Sequence, residues 1–397
     1  MRRHNPERLN MPALNAIADF AEDLTKWRRY LHQHPELGFD CHKTAAFVVE
    51  RLREMGITEI HEGIAQSGVV AIIDGQGDGP TIGLRADMDA LPIIEETGAD
   101  HTSTIAGKMH ACGHDGHTTM LLGAARYLAD TRNFKGRVAL IFQPAEEGGG
   151  GGDVMVQEGI MDRFEIAQVY ALHNAPDIEA GRIETRPGPM MAGASEFKIT
   201  VKGVGGHAAW PHGCVDPVAA AMQIGTAINT IVSRNVAAVD QLVISLTMIE
   251  AGTATNIIPE TVVMQGTVRN FRPELLDLAE KRISEICSGT GTAMGVEVKM
   301  EFFREYPPTV NDAEKTAFAV DVARELVGAE MVSDDTTMVM GAEDFSYMLN
   351  VRPGCYLNVG QGVGPFCHHP KFDFNDEITP IGASFLARLV ERAQPLG

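Results

Sequence analysis

Apolar residues recur at helical spacing between Asp19 and Met55 and break off around His34-Pro35-Glu36, a pattern that predicts two helices joined by a turn. Beyond them the apolar positions gather into short runs. Residues 68–74, 81–86, 138–142 and 169–172 read as strands, and 115–130 reads as a helix. Met120, Leu121, Ala124, Ala125 and Leu128 fall on the inward face of that helix, and Asp115 stands where a cap belongs. Strands alternating with helices predict an α/β fold, a mixed and largely parallel sheet sandwiched by helices.

Between residues 188 and 303 the order becomes strand, helix, strand, strand, helix, strand. That is the split βαβ, or ferredoxin-like, arrangement. Its helices have readable starts: Asp216 precedes a first-turn Pro217, and Pro273 opens the segment carrying Leu275, Leu276, Leu278 and Ile283. Residues 241–248 and 296–303 alternate as strands do. After Tyr306-Pro307-Pro308 the helix and strand alternation resumes. The expected organisation is a discontinuous catalytic domain, 1–187 with 304–397, interrupted by an inserted α+β domain over 188–303. Linkers near Gly188 and Tyr306 to Pro308 would let the insert close over a substrate.

At 397 residues the chain is too long for one comfortable core. A formal net charge of -20 sets up a field that repels phosphate polymers and anionic lipid, so neither nucleic acid nor a membrane is the expected partner. No apolar run is long enough to cross a bilayer, and MRRHNPERLNMPALN lacks the apolar core of a signal peptide. Six cysteines, at 41, 112, 214, 287, 355 and 367, form no CxxC pair. Reduced thiols and a cytoplasmic location are expected.

The chemistry concentrates in His110-Ala111-Cys112-Gly113-His114-Asp115-Gly116-His117. Thiolate and imidazole suit borderline divalent metals, and the glycines let the backbone bend so that side chains converge. A solvated histidine-rich loop is the plain alternative, but it leaves the other clusters unexplained. Asp87 and Asp89, Glu146 and Glu147, and His173 each follow a strand-like run. In open α/β sheets, ligands collect outside the carboxyl ends of the strands, so these positions are expected to face one crevice. Glu146 beside Glu147 suits a division in which one carboxylate binds metal and the other manages protons. Turning both inward requires a distorted backbone, which Pro144 and the run Gly148 to Gly152 make possible. Cys367-His368-His369-Pro370 adds an imidazole pair.

These residues resemble the M20 metallopeptidases, in particular the amidohydrolase branch of hippurate hydrolases, aminoacylase-like enzymes and auxin-conjugate hydrolases. The likeness runs in order through His34-Pro35-Glu36-Leu37-Gly38, LRADMDALP at 84–92, MHACGHDGH at 109–117, QPAEE at 143–147, the region of His173, GGHAAWPH at 205–212 and HHPKFDFND at 368–376. What the resemblance implies is a zinc-exopeptidase-like fold and two divalent ions, zinc, manganese, nickel or cobalt. It implies Cys112, His114, Glu147, His173 and His368 as ligands, Glu146 as general base, and Asp89 orienting a ligand without binding metal. His368 stands two residues before Pro370, as the ligand does in the branch's His-x-Pro pattern. The inserted domain resembles a lid that also dimerises, which implies a homodimer or homotetramer. His207 resembles the family histidine that stabilises the oxyanion, commonly in a neighbouring subunit. Asn256 and Arg269 are candidates for holding a substrate carboxylate, Arg269 by its forked donors.

The expected reaction is hydrolysis of the amide of an N-acyl amino acid, with benzoylglycine the leading substrate; the alternative that the resemblance leaves is an M20-type aminopeptidase, carboxypeptidase or dipeptidase. A rival reading makes Cys112 a nucleophile with a histidine base. A third is a noncatalytic metal-binding or ligand-binding protein.

Overall fold

The computed structural model describes residues 13–397, so most of the N-terminal segment discussed above lies outside the described residues. Contacts divide the chain into two compact units, Met1–Met190 with Val310–Thr337 and Asp344–Gly397, and Met191–Thr309 with Met338–Glu343. The second unit thus takes in Met338–Glu343, which the sequence reading left in the catalytic domain.

The first unit is built on an eight-stranded sheet. In spatial order its strands are Glu59–Ile64, Gly68–Asp74, Arg137–Gln143, Thr81–Asp87, Ile166–Pro176, Gly354–Gly362, Ile183–Glu184 and Val332–Ser333. The central four run parallel, and antiparallel pairing appears towards the edges. The central strands are continuous apolar runs because helices cover both faces. Thr81–Asp87, for example, is buried at every position.

The two helices expected before residue 55 are Ala21–Gln33 and His42–Glu54. The helix expected over 115–130 is His114–Thr131, and Met120, Leu121, Ala124, Ala125 and Leu128 are all buried on it. Its start corrects the sequence reading. Gly113, at φ 104, is the N-cap, and no side chain caps the helix. Asp115 is drawn instead to Arg28 and His32. Nor is only one face inward, since His114 through Ala125 are all buried.

In the second unit, Gly193–Lys202, Leu242–Ala251, Thr261–Asn270 and Glu297–Arg304 form an antiparallel sheet with Gly193–Lys202 and Thr261–Asn270 in the middle. With helices Pro217–Ile228 and Pro273–Met294 this is the ferredoxin-like topology. Asp216 caps as its sequence foretells, its Oδ1 accepting from Val218 N at 2.8 Å and Ala219 N at 3.3 Å. Among the described residues no helix is long and apolar enough to cross a membrane.

Candidate metal centre

Because the four central strands are parallel, their carboxyl ends share one rim. Asp87 ends Thr81–Asp87, Glu146 and Glu147 follow Arg137–Gln143, His173 lies near the end of Ile166–Pro176, and His368 follows Gly354–Gly362. Cys112 and His114 meet them from the start of the His114–Thr131 helix. Gly113 makes the approach possible. A Cβ there would stand 2.0 Å from Asn174 Oδ1, and its φ of 104 is open only to glycine at low cost.

The side chains fall into overlapping triads whose donor atoms lie within 4.8 Å of one another: Cys112, His114 and His173; Cys112, Glu147 and His368; His114, Glu146 and Glu147. Cys112 Sγ lies 3.5 Å from His173 Nε2, and His368 Nε2 lies 3.3 Å from Glu147 Oε2. His114 Nε2 faces Asp87 Oδ2 at 3.8 Å, Glu146 Oε2 at 3.9 Å and Glu147 Oε1 at 3.8 Å. Those separations are too long for hydrogen bonds and suit donors arranged around a gap.

Adjacent glutamates both turn inward through local distortion. Ala145 sits at φ 58 and Gly150 at φ 64, left-handed values that swing the chain between strand and helix. Asp89 fixes the result: its Oδ1 accepts the Glu146 N–H at 2.9 Å and its Oδ2 the Glu147 N–H at 3.1 Å. Its Oδ1 also stands 3.5 Å from His114 Nδ1. One buried carboxylate therefore sets both glutamates and one imidazole. His368 is held in a left-handed conformation too, at φ 68, and such strain in non-glycine residues clusters at functional sites.

Protonation follows from these surroundings. Burial and the positive field of His117 hold the His173 pKa well below the ordinary histidine value. Its Nδ1 donates to the Asn174 carbonyl at 2.6 Å, which leaves the Nε2 lone pair facing Cys112. Burial pushes against charge on His114, but Asp87, Asp89 and Glu147 outweigh it and raise that pKa. Glu147 is lowered despite burial, by its hydrogen bond to His368 and the nearby His114. Contact with the Cys367 thiol, together with burial, raises Cys112 well above an ordinary thiol.

A divalent ion fits this set. His114 Nε2 and Glu147 Oε1 are buried and have no hydrogen-bond partner among the described residues, a costly arrangement unless something else satisfies them. Sulfur, imidazole and carboxylate together are donors for borderline metals.

Asp87, His117 and Asp115 were named from the sequence, but two sets of pairings they enter were not. Beneath the triads, His117 Nδ1 meets Asp87 Oδ1 at 2.6 Å, and Arg85 spans Asp87 at 2.6 Å and Asp344 at 2.9 Å, all fully buried. Alongside lies a buried ion cluster. His32 bridges Asp115 at 2.8 Å and Glu95 at 3.2 Å, and Arg28 Nε donates to Asp376 at 2.5 Å. The motif arginines and aspartates gave a signal for the first group; nothing near Arg28 in sequence announces the second.

The remaining candidates lie in the second unit. His207 and Asn256 are exposed neighbours on a short antiparallel ladder, where Ile257 pairs with His207 and the Asn256 carbonyl accepts from Ala208 N at 3.0 Å. Arg269 is not with them. Near the far end of Thr261–Asn270, at about 3.3 Å per residue, it is on the order of 25 Å from the end they flank. Its Nη1 donates to Thr267 Oγ1 and to the Val268 carbonyl.

The family model for peptidase family M20/M25/M40 matches residues 83–392, and the chain belongs to that family. It is 38% identical over 379 residues to the hippurate hydrolase of Campylobacter jejuni, covering 96% of this chain and 98% of that one. It is 39% identical to the N-acetyl-L-cysteine deacetylase of Bacillus subtilis, over 96% of this chain and 89% of the relative. Among solved structures it resembles the Bacillus subtilis YXEP protein, described as a dinuclear metal-binding peptidase of the M20 family. That likeness has a TM-score of 0.83 and 33% identity, with 94% of this chain and 98% of that one covered.

Proposed function

We propose that this chain is a metal-dependent amidohydrolase that cleaves N-acyl amino acids into a carboxylate and a free amino acid. The observation that carries the reading is the pair of triads sharing Cys112, with unpartnered His114 Nε2 in one of them facing Glu147 of the other at 3.8 Å. The relatives named for hippurate and N-acetylcysteine supply the substrate class.

Cys112, His114, Glu147, His173 and His368 would hold two divalent ions, of zinc, manganese, nickel or cobalt. When bound, such ions supply positive charge that polarises a carbonyl and acidifies water. Glu146, buried and aimed by Asp89, takes a proton from the attacking water and returns it to the departing amine. Asp89 keeps Glu146, Glu147 and His114 in register. His207 donates to the oxyanion, and Asn256 and Arg269 bind polar substrate groups.

Because His207 and Arg269 stand at opposite ends of the second unit, one small substrate cannot meet both from a single chain. We therefore assign them to partnering copies of a homodimer or homotetramer. The Leu242–Ala251 strand supports this, as an unpaired edge exposing Val243, Met248 and Ile249. The opposite edge carries the Lys299–Glu301 ion pair at 2.8 Å. Six free cysteines fit a cytoplasmic location.

The nucleophile reading leaves the inward-turned Glu146 and Glu147 and the orphaned His114 Nε2 without a role. The test is turnover of benzoylglycine, acetyl amino acids and dipeptides by stripped protein reconstituted with each of the four metals. Acyl amino acids should be hydrolysed and a chelator should stop it. Turnover that survives the chelator, with an acyl group trapped on Cys112, would move the assignment to thiol chemistry. Inactivity of metal-replete protein across the panel would favour a binding protein.

A further inference from the structure

We propose that Cys112 and Cys367 form an oxidative modification site, at which a peroxide closes a disulfide between them and withdraws Cys112 from metal binding. The consequence for metal rests on the reading of Cys112 as a ligand; formation of the disulfide does not.

The two thiols stand 255 residues apart in sequence, and backbone pairing brings their segments together. His368 N donates to the Ala111 carbonyl at 2.7 Å, tying the segments together one residue from each cysteine. The Cys367 thiol donates to the Cys112 carbonyl at 3.8 Å, which sets its sulfur directly against the Cys112 residue. Their accessibility differs. Cys112 is buried, whereas Cys367 is half-buried beside a loop in which Val363 is 96% and Phe366 65% exposed. Oxidant therefore reaches Cys367 first, and the exposed loop gives the backbone room to adjust. Cys41, Cys287 and Cys355 are buried as well.

The chemistry balances with hydrogen peroxide as the oxidant. Cys367 sulfur attacks one peroxide oxygen, the O–O bond breaks, and the sulfur becomes a sulfenic acid as one water leaves with the thiol proton. Cys112 sulfur then displaces the sulfenic oxygen as a second water, and the S–S bond forms. Two thiols and one peroxide become one disulfide and two waters. Because Cys112 belongs to both thiol-containing triads, losing its thiolate weakens both at once. Conversely, an ion already bound to Cys112 occupies the sulfur and slows the reaction. A disulfide of this kind is the transient, sensing sort compatible with a reducing compartment.

The test treats metal-free protein with stoichiometric peroxide and reads whole-protein mass, linked peptides and zinc uptake. Wild type should lose the mass of two hydrogens, yield a peptide pair joined through Cys112 and Cys367, and take up less zinc until a thiol reductant restores it. Zinc-loaded protein should resist. Cys367→Ser and Cys367→Ala should bind zinc and turn over substrate as wild type does, and give no joined peptides. The proposal is overturned if wild type only gains oxygen at Cys112, or if both variants lose zinc uptake to peroxide as readily as wild type. Joined peptides with undiminished zinc uptake would overturn the ligand role of Cys112 while leaving the disulfide standing.

Discussion

Two clusters meet at the start of the His114–Thr131 helix, and they differ in whether their charged groups are paired; His110 beside His32, whose buried ring nitrogens have no partner among the described residues, stands outside that contrast. On one side His32 lies between Asp115 and Glu95, and Arg28 faces Asp115, Asp373 and Asp376. Each charge there meets an opposite charge. On the other side His114 Nε2 looks at three carboxylates from 3.8 to 3.9 Å and bonds to none of them. Histidine and carboxylates occur in both, and Arg28, His32 and Asp115 on one side are as buried as His114 on the other. A complete set of partners marks a group that holds the fold, whereas orphaned donors converging on a gap mark a place for a ligand.

If that distinction is correct, the two clusters answer mutation in different currencies. Replacing Glu146 by Gln removes the proton carrier and leaves the ligands, so turnover should drop by roughly 10²–10⁴-fold with metal content unchanged. Near-wild-type turnover would show that another group moves the proton. In the paired cluster, Arg28→Met removes the buried cation that Asp115 faces at 3.7 Å and that bonds Asp376, and metal-free protein should lose about 3–5 kcal/mol in urea unfolding while still taking up metal. Loss of metal with little change in stability would reverse the roles assigned to the two sides.

Asp89→Asn should produce a smaller and mixed effect. The amide still fills the space, but one of the two N–H groups of Glu146 and Glu147 loses its acceptor, so metal affinity should fall by roughly 10–100-fold in competition titrations. Unchanged affinity would make Asp89 a purely structural residue. The gentlest probe is pH. Burial works against charge on His32, yet Asp115 and Glu95 raise its pKa from 6.5 to about 9. Folded protein therefore holds a proton that unfolded chain releases, and the resulting stability, complete below pH 6.5, should fade as pH rises through about 9. In His32→Gln this part of the alkaline decline should vanish; an unaltered profile would remove His32 as its source.

What the sequence made legible was whatever is local. Strand-like runs followed by acidic or imidazole residues placed Asp87, Glu146, Glu147 and His173 correctly on one rim, since a parallel sheet leaves little choice about where its strand ends lie. The need for a distorted backbone at Glu146-Glu147 was equally readable from Pro144 and the glycines, and Ala145 at φ 58 supplies it. Distant pairing was not readable. Arg28 finds Asp376 348 residues away, so nothing nearby told that Asp115 would be claimed by an ion cluster and would leave Gly113 to cap the helix. Cys367 was passed over for the same reason, because its neighbour Cys112 is 255 positions distant. In the second unit, alternation gave the strands but not which end of them each candidate occupies, and only the register separates Arg269 from His207.

The most direct test of the account is the number of zinc ions held per chain by reduced wild type, Cys112→Ala and Arg28→Met, measured by elemental analysis after chelator stripping and zinc titration. Two ions are expected in wild type and in Arg28→Met, and fewer in Cys112→Ala. Wild type that binds no zinc, or Cys112→Ala that still binds two ions, would contradict it.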